Sequence, residues 1–266
     1  MKTKRFTPKL LTPRRIFMRP WRQKLGAPLL VGSIIGTLLI TYFGSGICAR
    51  CLGMIPGMLA ASLLGAVFLL GAVFFVPPAE FSERRTIRFR RPFFPPDAAG
   101  FREKILWRVP SGEQLRLVLA GWLAVLTGSA VITNLWQAVL EKLGIPFAAE
   151  QTLVRLARTA DPGTFVLLLL LTAGAVPLVE ELIFRRCLPE LLAPLGPRAA
   201  LLLGSFIFAA AHGFLLGLPG LFFIGIVFQI VCNATRNLNC SILCHALLNG
   251  TVLLLVKLTA FFPGSW

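Results

Sequence analysis

Apolar residues in this chain come in long blocks that no charge interrupts. Residues 26 to 49, 52 to 79, 117 to 140, 162 to 179, 199 to 235 and 237 to 256 contain no Asp, Glu, Lys or Arg. Crossing the hydrocarbon of a bilayer takes roughly 20 apolar residues in a helix. The 199 to 235 block is too long for one helix, and Gly217, Pro219 and Gly220 predict a turn near its middle. The pattern therefore predicts an all-α, polytopic transmembrane helical bundle of about seven spans. They fall at approximately 26 to 46, 52 to 77, 115 to 138, 164 to 186, 199 to 215, 219 to 235 and 238 to 258.

Between the spans, residues 1 to 25 form a basic arm and residues 26 to 163 hold the first transmembrane helices, with a basic loop at 80 to 116. Residues 164 to 258 form a core of the last four helices, followed by a tail at 259 to 266. In the other long loop, 139 to 163, Gly144 and Pro146 end one helix and Asp161-Pro162 opens the next. The first apolar segment is too long for a secretory signal and lacks a small-residue cleavage site, which predicts a retained helix. A composition of 56% hydrophobic and 14% charged residues leaves little room for a soluble domain. No internal repeat is visible.

The net charge of +16 would fit nucleic-acid binding, but its placement argues for membrane topology instead. With a cytoplasmic amino terminus, seven spans put 22 of the 27 Lys and Arg residues on the cytoplasmic side, as the positive-inside rule requires. The basic arm then orients the chain and touches anionic lipid, with no nucleic-acid partner. The RFRRPFFPP stretch of the 80 to 116 loop reads as a membrane-surface segment, arginines toward headgroups and aromatics in the interface. Of the six cysteines, Cys187, Cys232, Cys240 and Cys244 read as small buried thiols of apolar helices. Cys48 and Cys51 form a CxxC in the first external turn, a weak redox or metal signal.

Polar groups inside apolar helices need an explanation, because an unpaired one costs several kcal/mol in hydrocarbon. Three sets stand out: Glu180-Glu181-x-x-x-Arg185, Phe208 with His212, and His245 with Asn249, which include the only two histidines of the chain. Residues four apart share a helix face, so Arg185 can neutralise Glu181 while Glu180 points about 100° away. At about 1.5 Å per residue, His245 lies on the order of 10 Å, Asn249 about 16 Å and His212 about 20 Å from the cytoplasmic ends of their spans, and Glu180 roughly 10 Å. One site in the cytoplasmic half of the membrane is geometrically allowed.

A carboxylate, two imidazoles and a carboxamide in a dry place are suited to activating water and stabilising an oxyanion, which is amide hydrolysis. Two chemical versions are compatible with these residues. In one, Glu180 deprotonates a water that His212 positions, and His245 and Asn249 donate to the oxyanion. In the other, Glu180, His212 and His245 hold a zinc ion whose bound water attacks. A proton-coupled transporter would also use intramembrane Glu and His, but it gives Asn249 no obvious relay role, and the absence of a repeat speaks against it.

EELIFR at 180 to 185, FAAAH at 208 to 212 and HALLN at 245 to 249 are similar to the three ordered motifs EExxxR, FxxxH and HxxxN of the CPBP family, the type II CAAX prenyl endopeptidases and bacteriocin-processing proteins. The resemblance spans about residues 164 to 258. It implies an intramembrane endopeptidase in an all-helical, multi-pass fold, expected in a bacterial inner (plasma) membrane. Glu180, His212, His245 and Asn249 would be catalytic, with Glu181, Arg185 and Phe208 supporting. It leaves both the glutamate and the metal version open. It implies a membrane-associated protein or peptide as substrate, and some members are implied to act as bacteriocin-immunity or scaffold proteins. One departure is Arg186-Cys187, where many members carry glycine.

Overall fold

The computed structural model describes residues 31–40, 44, 47, 48, 50–75 and 109–260. The basic arm, nearly all of the 80 to 116 loop and the tail beyond residue 260 lie outside the described residues. Among the described residues every regular element is helical. In chain order they are α1 (Val31–Ile40), α2 (Met54–Phe75), α3 (Gly112–Lys142), α4 (Thr152–Thr159), α5 (Pro162–Leu195), α6 (Pro197–Ala211), α7 (Leu218–Thr235) and α8 (Leu238–Ala260). Of these, α3, α5, α7 and α8 are long and apolar enough to cross a membrane, and α1, α2 and α6 are apolar as well.

The helix ends follow local chemistry. Ser111 caps α3 through a reciprocal pair of bonds with Gln114: the Gln114 N–H donates to Ser111 Oγ, and the Ser111 N–H donates to Gln114 Oε1. At the other end the chain leaves α3 through Gly144, whose positive φ of 64° a side chain would disfavour. Asp161 Oδ1 accepts from the N–H groups of Gly163 and Thr164 at 3.0 and 3.1 Å, and Pro162 takes the first turn of α5, as that dipeptide predicts.

Two boundaries differ from expectation. The turn inside the 199 to 235 block lies at His212 to Gly217, ahead of Pro219. Pro219 instead sits in the first turn of α7, where a missing N–H has no cost, and Gly213 makes the turn at φ 59°. The fifth span is therefore shorter than predicted, and His212 caps its end instead of lying inside it. The 139 to 163 loop also contains a helix that the charge pattern hid. In α4, Leu153, Leu156 and Ala157 pack toward α5 and α8 while Arg155 and Arg158 are exposed.

Packing centres on α7 and α8. Helix α7 lies against α3, α6 and α8, and α8 lies against α3, α4 and α5, with α2 covering another side of α5. On α3, Val118, Gly121 and Val125 are buried at helical spacing, whereas Leu115, Leu117, Leu119 and Leu123 are exposed, the arrangement of a helix with one face to its neighbours and the other to lipid. Close approach depends on small residues. A methyl added to Gly225 of α7 would stand 3.0 Å from Cα and Cβ of Ser205 on α6. One added to Gly121 of α3 would stand 2.7 Å from Val231 of α7. The turn between α7 and α8 is tied to the start of α3, since Gln114 Nε2 donates to the Thr235 carbonyl at 2.9 Å and Gln114 Oε1 accepts from Asn237 Nδ2 at 3.2 Å.

Gly225→Val should lower stability by about 1 to 3 kcal/mol, because the obstacle is the Ser205 backbone and not a movable side-chain tip. Gly174→Ala, where a methyl meets open space, should be neutral or mildly stabilising. Thermal unfolding of both variants in detergent checks the contrast, and equal stability of Gly225→Val and the parent chain would refute it.

Candidate active site

Helix α5 is not uniformly α-helical where it carries the acidic pair. The segment Val176–Glu181 is α-helical, and π-helical segments at Leu171–Ala175 and Leu182–Cys187 flank it. Each wide turn shifts the register by one residue, so the Val176 N–H donates to the Leu171 carbonyl and the Leu188 N–H to the Ile183 carbonyl. In that register the Thr172 carbonyl would next accept from residue 177. Residue 177 is proline and has no N–H to give. Asn249 of α8 fills the place, its Nδ2 donating to the Thr172 carbonyl at 2.8 Å. A carboxamide nitrogen carries two hydrogens, and this bond uses one.

Glu181 is fully buried and shared by three partners. Arg185 Nε stands 3.3 Å from Oε2, one turn along the same helix, as the spacing predicts. Ser241 Oγ of α8 donates to the same oxygen. The other oxygen, Oε1, is 3.0 Å from His245 Nδ1. The guanidinium of Arg185 also lies over the ring of Phe208, 4.8 Å from its centroid, and 5.8 Å from that of Phe228. Phe208 itself packs edge-on against His212 at 4.8 Å and against His245 at 6.1 Å. An aromatic wall thus separates the charged cluster from the rest of the core. Arg186, the departure from the family pattern, is buried and paired with Glu190 one turn further on.

Glu180 faces elsewhere, as the 100° step per residue requires. Its Oε2 lies 3.9 Å from His212 Nε2 and 3.9 Å from His245 Nε2, and this buried oxygen has no hydrogen-bond partner among the described residues. The far side of each imidazole fixes what Nε2 presents. His212 Nδ1 is 2.8 Å from the Phe208 carbonyl, which can only accept, so Nδ1 carries the proton. His245 Nδ1 is turned to a carboxylate and donates likewise. In their neutral forms both histidines therefore aim an Nε2 lone pair at the Glu180 carboxylate. Three acceptors around one point call for a molecule with protons to share, or for a cation.

The same three atoms are those that could hold a zinc ion. The donor types are suitable, and Glu181 behind His245 is a common supporting partner for a metal-bound imidazole. Their spacing is wide: tetrahedral ligands on bonds of about 2.0 to 2.1 Å stand roughly 3.3 Å apart, against 3.9 Å here. As they lie, no three His, Cys, Asp or Glu side chains among the described residues close on one metal position.

The structure thus brings Glu180, His212 and His245 together from α5, α6 and α8, with Glu181, Arg185 and Phe208 behind them. Asn249 shares a face with His245, but its contact is with the Thr172 carbonyl of α5. Sequence reasoning missed Ser241 and Thr172. Ser241 had a signal, a hydroxyl four residues before His245 on the same helix face. Thr172 had none, since its role depends on the register shift.

Residues 162–251 match the family described as type II CAAX prenyl endopeptidase, Rce1-like. Comparison with curated proteins and with solved structures gave no match. The matched segment holds all of the clustered residues. With four helices long and apolar enough to cross a membrane, the chain is an integral, multi-pass helical membrane protein, and its residues 162–251 are similar to CAAX-type intramembrane proteases. The similarity to the Rce1-like type II CAAX prenyl endopeptidase family covers residues 162–251 and takes in all three motifs.

Asn249→Ala should cost about 0.5 to 2 kcal/mol by leaving the Thr172 carbonyl without its donor. In a Pro177→Ala background, where residue 177 regains an N–H, the cost of Asn249→Ala should be smaller. A double-mutant cycle on unfolding in detergent measures this coupling. Equal costs in the two backgrounds would refute it.

Proposed function

We propose that this chain is an intramembrane endopeptidase that hydrolyses a peptide bond of a membrane-associated protein or peptide. The observation that carries the proposal is the unpartnered Glu180 Oε2 held 3.9 Å from two imidazole nitrogens. A water seated there donates to Glu180 and to His212 Nε2. As its oxygen attacks the substrate carbonyl, its proton passes to Glu180, which then delivers it to the departing amine as the C–N bond breaks. For His245 to act as a donor there, its Nε2 must carry a proton in addition to the one on Nδ1. His245, oriented by Glu181 through Nδ1–H, then presents Nε2–H to the oxyanion. Asn249, with its second N–H, stands one turn away as the other donor. A zinc ion would have to draw Glu180 Oε2 closer to each imidazole nitrogen by about half an ångström, and we assign the hydrolysis to the residues alone.

Charge distribution supports a cytoplasmic amino terminus and substrate entry from the cytoplasmic half of a bacterial inner membrane, with anionic lipid at the basic arm and no nucleic-acid partner. Arg236 at the α7–α8 turn would be inside and Arg158 on α4 outside, both exposed. In a cysteine-free background, a membrane-impermeant thiol reagent applied to intact cells should label Arg158→Cys and not Arg236→Cys. The reverse pattern would invert the topology.

Glu180→Ala and His212→Ala should each lower cleavage of a prenylated CAAX peptide by at least about 10²-fold while inserting normally. Metal chelators should leave the parent activity unchanged. Retained cleavage in either variant would sink the water-activation assignment, and chelator loss reversed by zinc would establish the metal version. Loss of solute flux instead of cleavage would point to a transporter. Biological activity that survives Glu180→Ala would point to an immunity or scaffold protein.

A further inference from the structure

Ser241 belongs to none of the three motifs, yet it is fully buried at the centre of the charged cluster. Its hydroxyl proton has two acceptors in reach, Glu181 Oε2 and the Phe228 carbonyl at 3.3 Å, of which Glu181 is the nearer. Turning that proton to Phe228 would point an oxygen lone pair at a carboxylate, so the bond to Glu181 is the favoured state. Ser241 and His245 are four apart on α8 and take the two oxygens of one carboxylate, Ser241 holding Oε2 and His245 meeting Oε1. The terminal torsion of a glutamate is soft. Arg185, the other partner of Oε2, stands on the same helix as Glu181, at 3.3 Å without a hydrogen bond from its Nε. Apart from the His245 contact that it serves, the serine hydroxyl is therefore the contact among the described residues that ties the carboxylate to the helix carrying His245.

We propose that Ser241 is a positioning residue for the hydrolytic reaction: its hydroxyl holds Glu181 in the orientation that receives His245 Nδ1–H, and so aims His245 Nε2 at the reacting atoms. It acts through Glu181 and does not touch substrate. The kinetic part rests on the endopeptidase reading, whereas the orientation of His245 does not.

Two measurements on the purified full-length chain in detergent test it. In the first, a fluorescence-quenched, farnesylated peptide ending in a CAAX sequence is the probe. Ser241→Ala should lower kcat by about 10- to 100-fold, as loss of an orienting partner does, with KM little changed, and Ser241→Thr, which keeps the hydroxyl, should restore most of the rate. In the second, nitrogen-15 NMR of histidine-labelled protein uses the fact that the chain has only two histidines, so His212→Ala leaves His245 alone in the spectrum. The strongly hydrogen-bonded Nδ1 proton of His245 should move upfield or broaden in Ser241→Ala and return in Ser241→Thr. An unchanged His245 signal in Ser241→Ala would overturn the proposal, as would full kcat, or a loss that tracks a lowered melting temperature and is not restored by threonine. If the parent chain leaves the probe uncut, or Glu180→Ala keeps cutting it, the endopeptidase reading fails by itself and the spectrum still decides the role of Ser241.

Discussion

A carboxylate cannot stay ionised inside an apolar bundle unless its partners replace the water it gave up, and Glu181 is where this chain meets that demand. One oxygen takes Arg185 and Ser241, and the other takes His245. These contacts join α5 to α8 at the depth of the site. They also hold His245 Nδ1–H on Glu181 and so turn Nε2 toward Glu180. Arg185 in turn rests on the faces of Phe208 and Phe228, so the ring that packs the core of α6 also shields the ion pair. Removing any member would leave another buried charge short of a partner, which makes the cluster a unit and not a set of separate pairs.

The adjacent Glu180 shows how one helix supplies two carboxylates with different tasks. Successive residues point about 100° apart, so satisfying Glu181 on one face leaves Glu180 free on the next. The π-helical segments on either side set the exact pitch at which this happens. Such wide turns survive only where something else takes up the displaced backbone groups. Here Pro177 withdraws an N–H and Asn249 supplies one, which locks α8 to α5 a second time, one turn from His245. Asn249 therefore has a structural reason to be asparagine that is independent of any part in chemistry.

Around the site, ordinary membrane packing does the rest. With lipid as apolar as the side chains, helices gain little from hiding leucines from it and much from close contact. The glycines at 121 and 225 let α7 approach α3 and α6 closely, and this holds Phe228 and Phe208 where Arg185 needs them. The exposed leucines of α3 complete the picture of a bundle that faces hydrocarbon outward and keeps Glu181, Arg185 and His245 inside.

By itself the sequence determined the helical class, the spans of α3, α7 and α8 and the start of α5 to within a few residues, the pairing of Glu181 with Arg185, and the face shared by Phe208 and His212. All of these are local: they follow from runs of apolar residues and from the 3.6-residue period, which act over one element. Only the tertiary structure decided that His245 backs onto Glu181, that Ser241 grips the same carboxylate, that Asn249 answers the Thr172 carbonyl, and that His212 ends its helix. The contacts from α8 join residues 60 to 77 positions apart, and they depend on how α8 lies against α5. Periodicity says which residues share a face, but the crossing of two helices decides which atoms on those faces meet.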